Sequence, residues 1–301
     1  MRKTLEDIIV KAITFRYQLP NMQLSIPPYK NSVRKDECYK GLNNNDFANA
    51  IYNGLIDYSY NDNDINVDSL TPLHKRALQA KIRYDKNASI EEQEKYGFYG
   101  EVILHLMLNK FYKTSTLISR GYFYHPIENA ETKGFDCFHL IQNAPDLVEL
   151  WFGEVKFYAD GKAAIKSILE KVSTSLSDGY LSKNAITIFD EDADKWNIQQ
   201  SELLRIATDW KDNPSINVVD EIEKYNMRLV YPMLVICNNI KNKDYNETIS
   251  GLIDYANNKY ASLNIKLSVP FELFFILLPV NDTKTIKQTV IQWISQQVQP
   301  K

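Results

Sequence analysis

The sequence predicts an α/β (α+β) fold, with a mixed central sheet flanked by helices. Three observations lead there. Helical and strand-like periodicities follow one another in the order helix, three strands, helix, then strand, helix, strand, helix. Gly contributes only 10 of 301 residues, which favours long regular elements over loops. The most apolar run, residues 271–280, carries Glu272 and is too short to cross a bilayer, so it reads as a buried strand.

The elements follow in order. Residues 1–44, with Pro27-Pro28 and scattered charges, read as irregular structure with one or two strands. Ile51, Leu55 and Tyr58 share a helical face over 46–58. Thr71-Pro72 pairs an N-cap with a proline at the first helical position and opens a helix to about residue 84. Ser89 and Glu92 have capping-box spacing and open a helix to about 112, with Gly97 and Gly100 marking close packing or a break inside it. Residues 117–124, 134–142 and 147–158 are short runs rich in β-branched and aromatic side chains, hence strands. Residues 161–177 return to helix, with Ile165, Ile168, Leu169, Val172 and Leu176 on one side. A helix at 201–210, a strand at 228–237 despite Pro232, a helix at 248–260, a strand at 267–278 and a helix at 283–298 complete the chain. No linker separates the first ninety residues, so 1–90 is expected as a mainly helical region packed on a core of 91–301.

Hydrophobic residues at 44% and charged residues at 24% supply a real core. The formal net charge of −3 argues against a chain that grips nucleic acid tightly unaided, because phosphate neutralisation dominates such affinity. A local basic cleft, or a partner that supplies the grip, remains compatible with it. Cys38, Cys137 and Cys237 are far apart and form no CxxC pair, which excludes a zinc ribbon or a disulfide framework and fits a reducing compartment. The first twenty residues lack a signal-peptide apolar region and no segment suits a membrane, so a cytoplasmic location is expected.

Two short motifs carry the chemistry: Gly134-Phe135-Asp136 and Gly153-Glu154-Val155-Lys156. On a strand, Glu154 and Lys156 project from one face while Val155 points into packing on the other. Asp136 belongs to the preceding strand, which a turn can pair antiparallel with the next, bringing its carboxylate to that of Glu154. Two converging carboxylates make a hard-oxygen site suited to Mg2+, with Mn2+ as a substitute. Lys156 beside them would orient the attacking water or stabilise charge on phosphorus. The competing reading is an ordinary ion pair between Glu154 and Lys156 on a solvated sheet face, with Asp136 in a turn.

An acidic residue on one strand followed by (Asp/Glu)-x-Lys on the next resembles the signature of the PD-(D/E)xK nuclease superfamily. Asp136 takes the place of the family's Asp, preceded by Gly-Phe where Pro would be expected, and Glu154 and Lys156 take those of its Glu and Lys. Glu101, in Tyr99-Gly100-Glu101 on the preceding helix, matches a glutamate many members carry there. The resemblance implies a restriction-endonuclease-like core. The runs Gly153 to Tyr158, Gly134 to Asp136 and Gly100-Glu101 are similar more specifically to the HamA family of Hachiman anti-phage effectors, chiefly over residues 95–175. That resemblance implies DNA cleavage coupled to a helicase subunit, HamB. The alternative from another class is a non-catalytic adaptor of nuclease fold that binds a helicase or nucleic acid.

Lesser candidates were weighed in the same way. Lys162 and Lys166, one turn apart and opposite the apolar stripe of their helix, are placed to contact phosphate or simply to be solvated. Glu101 shares a face with His105 and has an ion pair as its ordinary reading. Cys137, His139 and His125 are too few for zinc, and core packing is expected. Asp62, Asp64 and Asn66 begin like a calcium loop but lack the Gly and the final Glu. Tyr122, Phe123 and Tyr124 read as core rather than a base-stacking platform. There is no Walker A sequence, dinucleotide fingerprint or Gly-x-Ser-x-Gly elbow.

Overall fold

A computed structural model of the protein describes residues 1–19, 32–33, 36–61, 64–116, 124–125, 130–131, 136–144, 147–184, 201–213, 217–240, 244–260, 263 and 265–296. Its elements run α1 (Lys3–Ala12), β1 (Ile13–Leu19), β2 (Ser32–Val33), β3 (Asp36–Gly41), α2 (Asn44–Ser59), α3 (Leu70–Arg76), α4 (Ile90–Gln93), α5 (Phe98–Phe111), β4 (Ser115–Thr116), β5 (Tyr124–His125), β6 (Ala130–Glu131), β7 (Cys137–Ala144), β8 (Leu147–Phe157), α6 (Gly161–Ser175), α7 (Asp178–Asn184), α8 (Ser201–Asp212), α9 (Val218–Lys224), β9 (Arg228–Asn238), α10 (Tyr245–Tyr260), β10 (Phe271–Val280) and α11 (Thr283–Gln296). Eight strands form one mixed sheet in the order β1-β3-β10-β9-β8-β7-β4, with β2 also paired to β10. The central trio β10, β9 and β8 is parallel, and β7 runs antiparallel beside β8.

Strand periodicity sorts the core into two layers, one on each face of the sheet. Leu150 and Phe152 of β8, Tyr231, Met233 and Val235 of β9, and Leu273, Phe275 and Leu277 of β10 join the first cluster, with α6 to α10. Trp151, Val155 and Phe157, then Leu234 and Ile236, then Phe274, Ile276 and Leu278 join the second, with α1, α2, α5 and α11. All ten residues of β10 are buried, as a strand covered on both faces requires. This is the α/β architecture expected, with helices on both sides of a mixed sheet.

Several local expectations meet their physical reasons. Ser89 and Glu92 form the reciprocal capping box, but the helix it opens stops at Gln93, and α5 starts afresh after Gly97. Gly100 then permits α5 to touch the sheet: a Cβ there would lie 2.9 Å from Val155 Cγ2. The helix expected from Thr71 begins at Leu70 and widens into a π-turn over Ala77–Lys81. The described residues of 1–44 are more regular than expected. Leu5, Ile9 and Ala12 form the buried face of α1, and β1 and β3 pair antiparallel before β3 joins β10. Among the described residues, β3 pairs with β10, and α1 and α2 share a core cluster with α5 and α11. The strand expected at 117–124 lies outside the described residues except for Tyr124, as do Tyr122, Phe123, Gly134 and Phe135.

Candidate active site

The site forms where β7 and β8 part. Their ladder ends at the pair Cys137 and Gly153, and the Asp136 N–H still donates to the Gly153 carbonyl at 2.8 Å. Two residues further along β8, the Val155 N–H is met by a side chain. The Asp136 carboxylate accepts that N–H through Oδ2 at 2.8 Å. A buried donor is thereby satisfied, and the carboxylate is oriented through Oδ2.

Glu154 and Lys156 share the face of β8 that carries Leu150 and Phe152, opposite Val155. Glu154 is 0% exposed, so the reading of a solvated ion pair fails. Its Oε1 accepts from the Lys156 ammonium and its Oε2 pairs with Lys171, which also lies 3.9 Å from Asp136 Oδ1. Two carboxylates and two ammoniums thus form a single, formally neutral cluster. Burial, helped by the charge of Asp136, pushes the Glu154 carboxyl up to about 7, with Lys171 and Lys156 opposing in part. Lys156 experiences the reverse balance: burial disfavours its charge, the Glu154 carboxylate outweighs it, and its pKa ends above the ordinary lysine value. Tyr231 on β9 lies in the same electrostatic field. Its burial, then the charges of Glu154 and Asp136, hold its hydroxyl well above the usual tyrosine value.

The structure therefore brings Asp136, Glu154 and Lys156 together. Glu101 sits on the helix that covers the opposite face of β8. It lies on α5, whose Gly100 packs on Val155 and Phe157 from the other side of the sheet, and its carboxylate accepts from the Tyr58 hydroxyl of α2. Replacing Glu101 with Gln is accordingly expected to lower the melting temperature while changing any cleavage rate by less than about threefold; a loss on the catalytic scale of hundreds would return it to the site. Lys162 stands over the Tyr255 ring and Lys166 pairs with Glu170 at 3.8 Å.

Lys171 is the member that sequence reasoning missed, on the same helix as those two. A signal existed. Lys171 follows Ile168 by three residues and precedes Ser175 by four, and both are buried against the sheet. That spacing puts a lysine at the rim of the sheet-facing stripe, beside the strand bearing the acid–x–lysine motif.

The metal test rests on the donor set. Asp136 Oδ1 and Glu154 Oε2 converge on one cationic centre, Lys171 Nζ, which is the arrangement a two-carboxylate site for a hard cation needs. Among the described residues no group of three or more His, Cys, Asp or Glu side chains is arranged to hold a metal. Mg2+ suits this donor set because it commonly keeps several waters and takes one or two carboxylates. Cys137 and His139 are buried as expected, with His139 Nδ1 2.7 Å from Thr114 Oγ1. Among the described residues no helix is long and apolar enough to cross a membrane.

No curated protein and no solved structure matches the chain. A model of the HamA family matches residues 32–294, which leave out α1 and β1 but include the strands from β2 to β10 and all four members of the cluster. The chain belongs to the HamA family, a component of Hachiman anti-phage defence.

Proposed function

We propose that the chain is a magnesium-dependent DNA nuclease that acts in anti-phage defence under the control of a helicase partner, HamB. The observation that carries this reading is the approach of Asp136 Oδ1 and Glu154 Oε2 to one ammonium, Lys171, while the Lys156 ammonium holds Glu154 Oε1, at the fork of β7 and β8. Asp136 and Glu154 would hold the cation, the first aimed by the Val155 N–H and the second by its position on β8. Bound there, Mg2+ would supply Lewis-acid stabilisation of a phosphoryl oxygen and a water of lowered pKa. Lys156 keeps its proton, because Glu154 raises its pKa. It therefore serves as a fixed cation that stabilises negative charge building on phosphorus, not as a general base. The net charge of −3 supports the helicase as the subunit that captures substrate.

The pH dependence follows in sign. Metal binding needs the Glu154 carboxylate, and its pKa in the folded chain is about 7. At limiting Mg2+, cleavage is expected to rise as pH passes from 6 to 8 and to flatten when Mg2+ saturates; a rate falling over that interval would contradict the assignment. The direct test incubates the purified chain with plasmid DNA, with and without Mg2+ and with and without its helicase. Nicked or linear DNA in the Mg2+ arms alone supports the proposal. Intact DNA in every arm leaves the adaptor reading, and cleavage of RNA instead corrects the substrate.

A further inference from the structure

The four carboxylate oxygens of the cluster are not equivalent. Asp136 Oδ2 is committed to the Val155 N–H, and Glu154 Oε1 to Lys156. The two left for a shared ligand are Asp136 Oδ1 and Glu154 Oε2, and both already face the Lys171 ammonium. The position best suited to a divalent cation is thus the position of Lys171 Nζ.

We propose that Lys171 is a resident stand-in for the divalent cation, and that metal entry is an exchange in which the ammonium leaves as the metal arrives. The inference rests on the metal-dependent reading above. Charge decides the exchange. With both lysines the cluster sums to zero; adding a divalent cation without removing Lys171 would leave it at plus two in a largely buried setting, which is strongly unfavourable. Lys156 has no comparable conflict, because it holds the opposite oxygen of Glu154. Lys171 also has the means to leave. Its side chain is 31% exposed, on a helix at the rim of the site, and four rotatable bonds carry the ammonium into water. In the metal-free state it screens two adjacent carboxylates and holds them in register for their ligand.

The test is a calorimetric titration of MnCl2 into the full chain without nucleic acid, using wild type and the variants Lys171→Met, Lys171→Arg and Glu154→Gln. Removal of the competing cation is expected to tighten binding about tenfold, the scale on which groups touching metal ligands tune affinity. Lys171→Arg keeps a competing charge and should bind like wild type, and Glu154→Gln should not bind at this site. Binding by Lys171→Met equal to or weaker than wild type, with Glu154→Gln still silent, would overturn the stand-in while sparing the metal site. Absence of binding in both wild type and Lys171→Met, or binding by Glu154→Gln as tight as wild type, would overturn both. Lys171→Gln replaces Lys171→Met should thermal unfolding show that variant misfolded, with the same outcomes.

Discussion

The Glu154→Gln variant is expected to lose cleavage by two to four orders of magnitude, roughly the cost of removing an essential polar group from an active site, and yet to unfold at a higher temperature than wild type above pH 7. The loss follows from removing a metal ligand whose neutral isostere keeps the shape and not the charge. The gain follows from linkage. Glu154 ionises near 4.5 in the unfolded chain and near 7 in the folded one. Its contribution to stability is complete below the lower value and is lost as pH rises through the higher, so at pH 8 the wild type carries the full cost of a buried carboxylate. Glutamine mimics the protonated acid. The difference should amount to about 1–3 kcal/mol at pH 8 and shrink toward pH 5. Thermal unfolding in EDTA at the two pH values reads it. A variant less stable than wild type at pH 8 would show that the lysines, rather than desolvation, govern this carboxylate. The site then trades stability for function, as a cluster built to receive a cation should.

Gly153→Ala is the second change with a large expected effect, although it touches none of the reacting groups. A Cβ at this position would lie 2.7 Å from Cys137 Sγ, 3.0 Å from Pro232 Cγ and 3.1 Å from the Pro232 carbonyl oxygen. Pro232 sits inside β9, where a missing N–H is rarely tolerated, and the β8–β9 ladder has no pairs at Phe152 and Gly153. The bare backbone of Gly153 lets β7, β8 and β9 close around that proline. Added bulk must push one strand away, costing about 1–3 kcal/mol and displacing the adjacent Glu154. Misplacement on the ångström scale costs on the order of a hundredfold in rate, so cleavage should fall further than stability suggests. Activity within a few-fold of wild type, measured at a temperature where the variant is folded, would mean that the strands have slack here.

The readability of this chain differs by element for physical reasons. β8, β9, β10 and α6 are legible because burial on one or both faces writes itself into local periodicity. The acid–x–lysine motif is legible for the same reason, since period two fixes which residues share a face. β1 and β3 are not. They are stabilised by pairing with each other and, through β3, with β10, more than two hundred residues away, and β1 is a largely exposed edge strand with a weak pattern. Glu101 illustrates a different limit. Its helix was evident, but which face of the sheet that helix covers depends on Gly100 meeting Val155, a tertiary contact that local spacing does not encode. Lys171 was legible in principle. Its place beside the buried stripe is a matter of helical spacing.

The measurement that bears most directly on the central claim compares wild type and Lys156→Ala on plasmid DNA, each with its helicase, in Mg2+ and in EDTA. The geometry predicts cleavage by wild type in Mg2+ alone, and a Lys156→Ala protein that is folded and still binds Mn2+ but leaves the plasmid intact. Cutting by Lys156→Ala at the wild-type rate, or by wild type in EDTA, would contradict it.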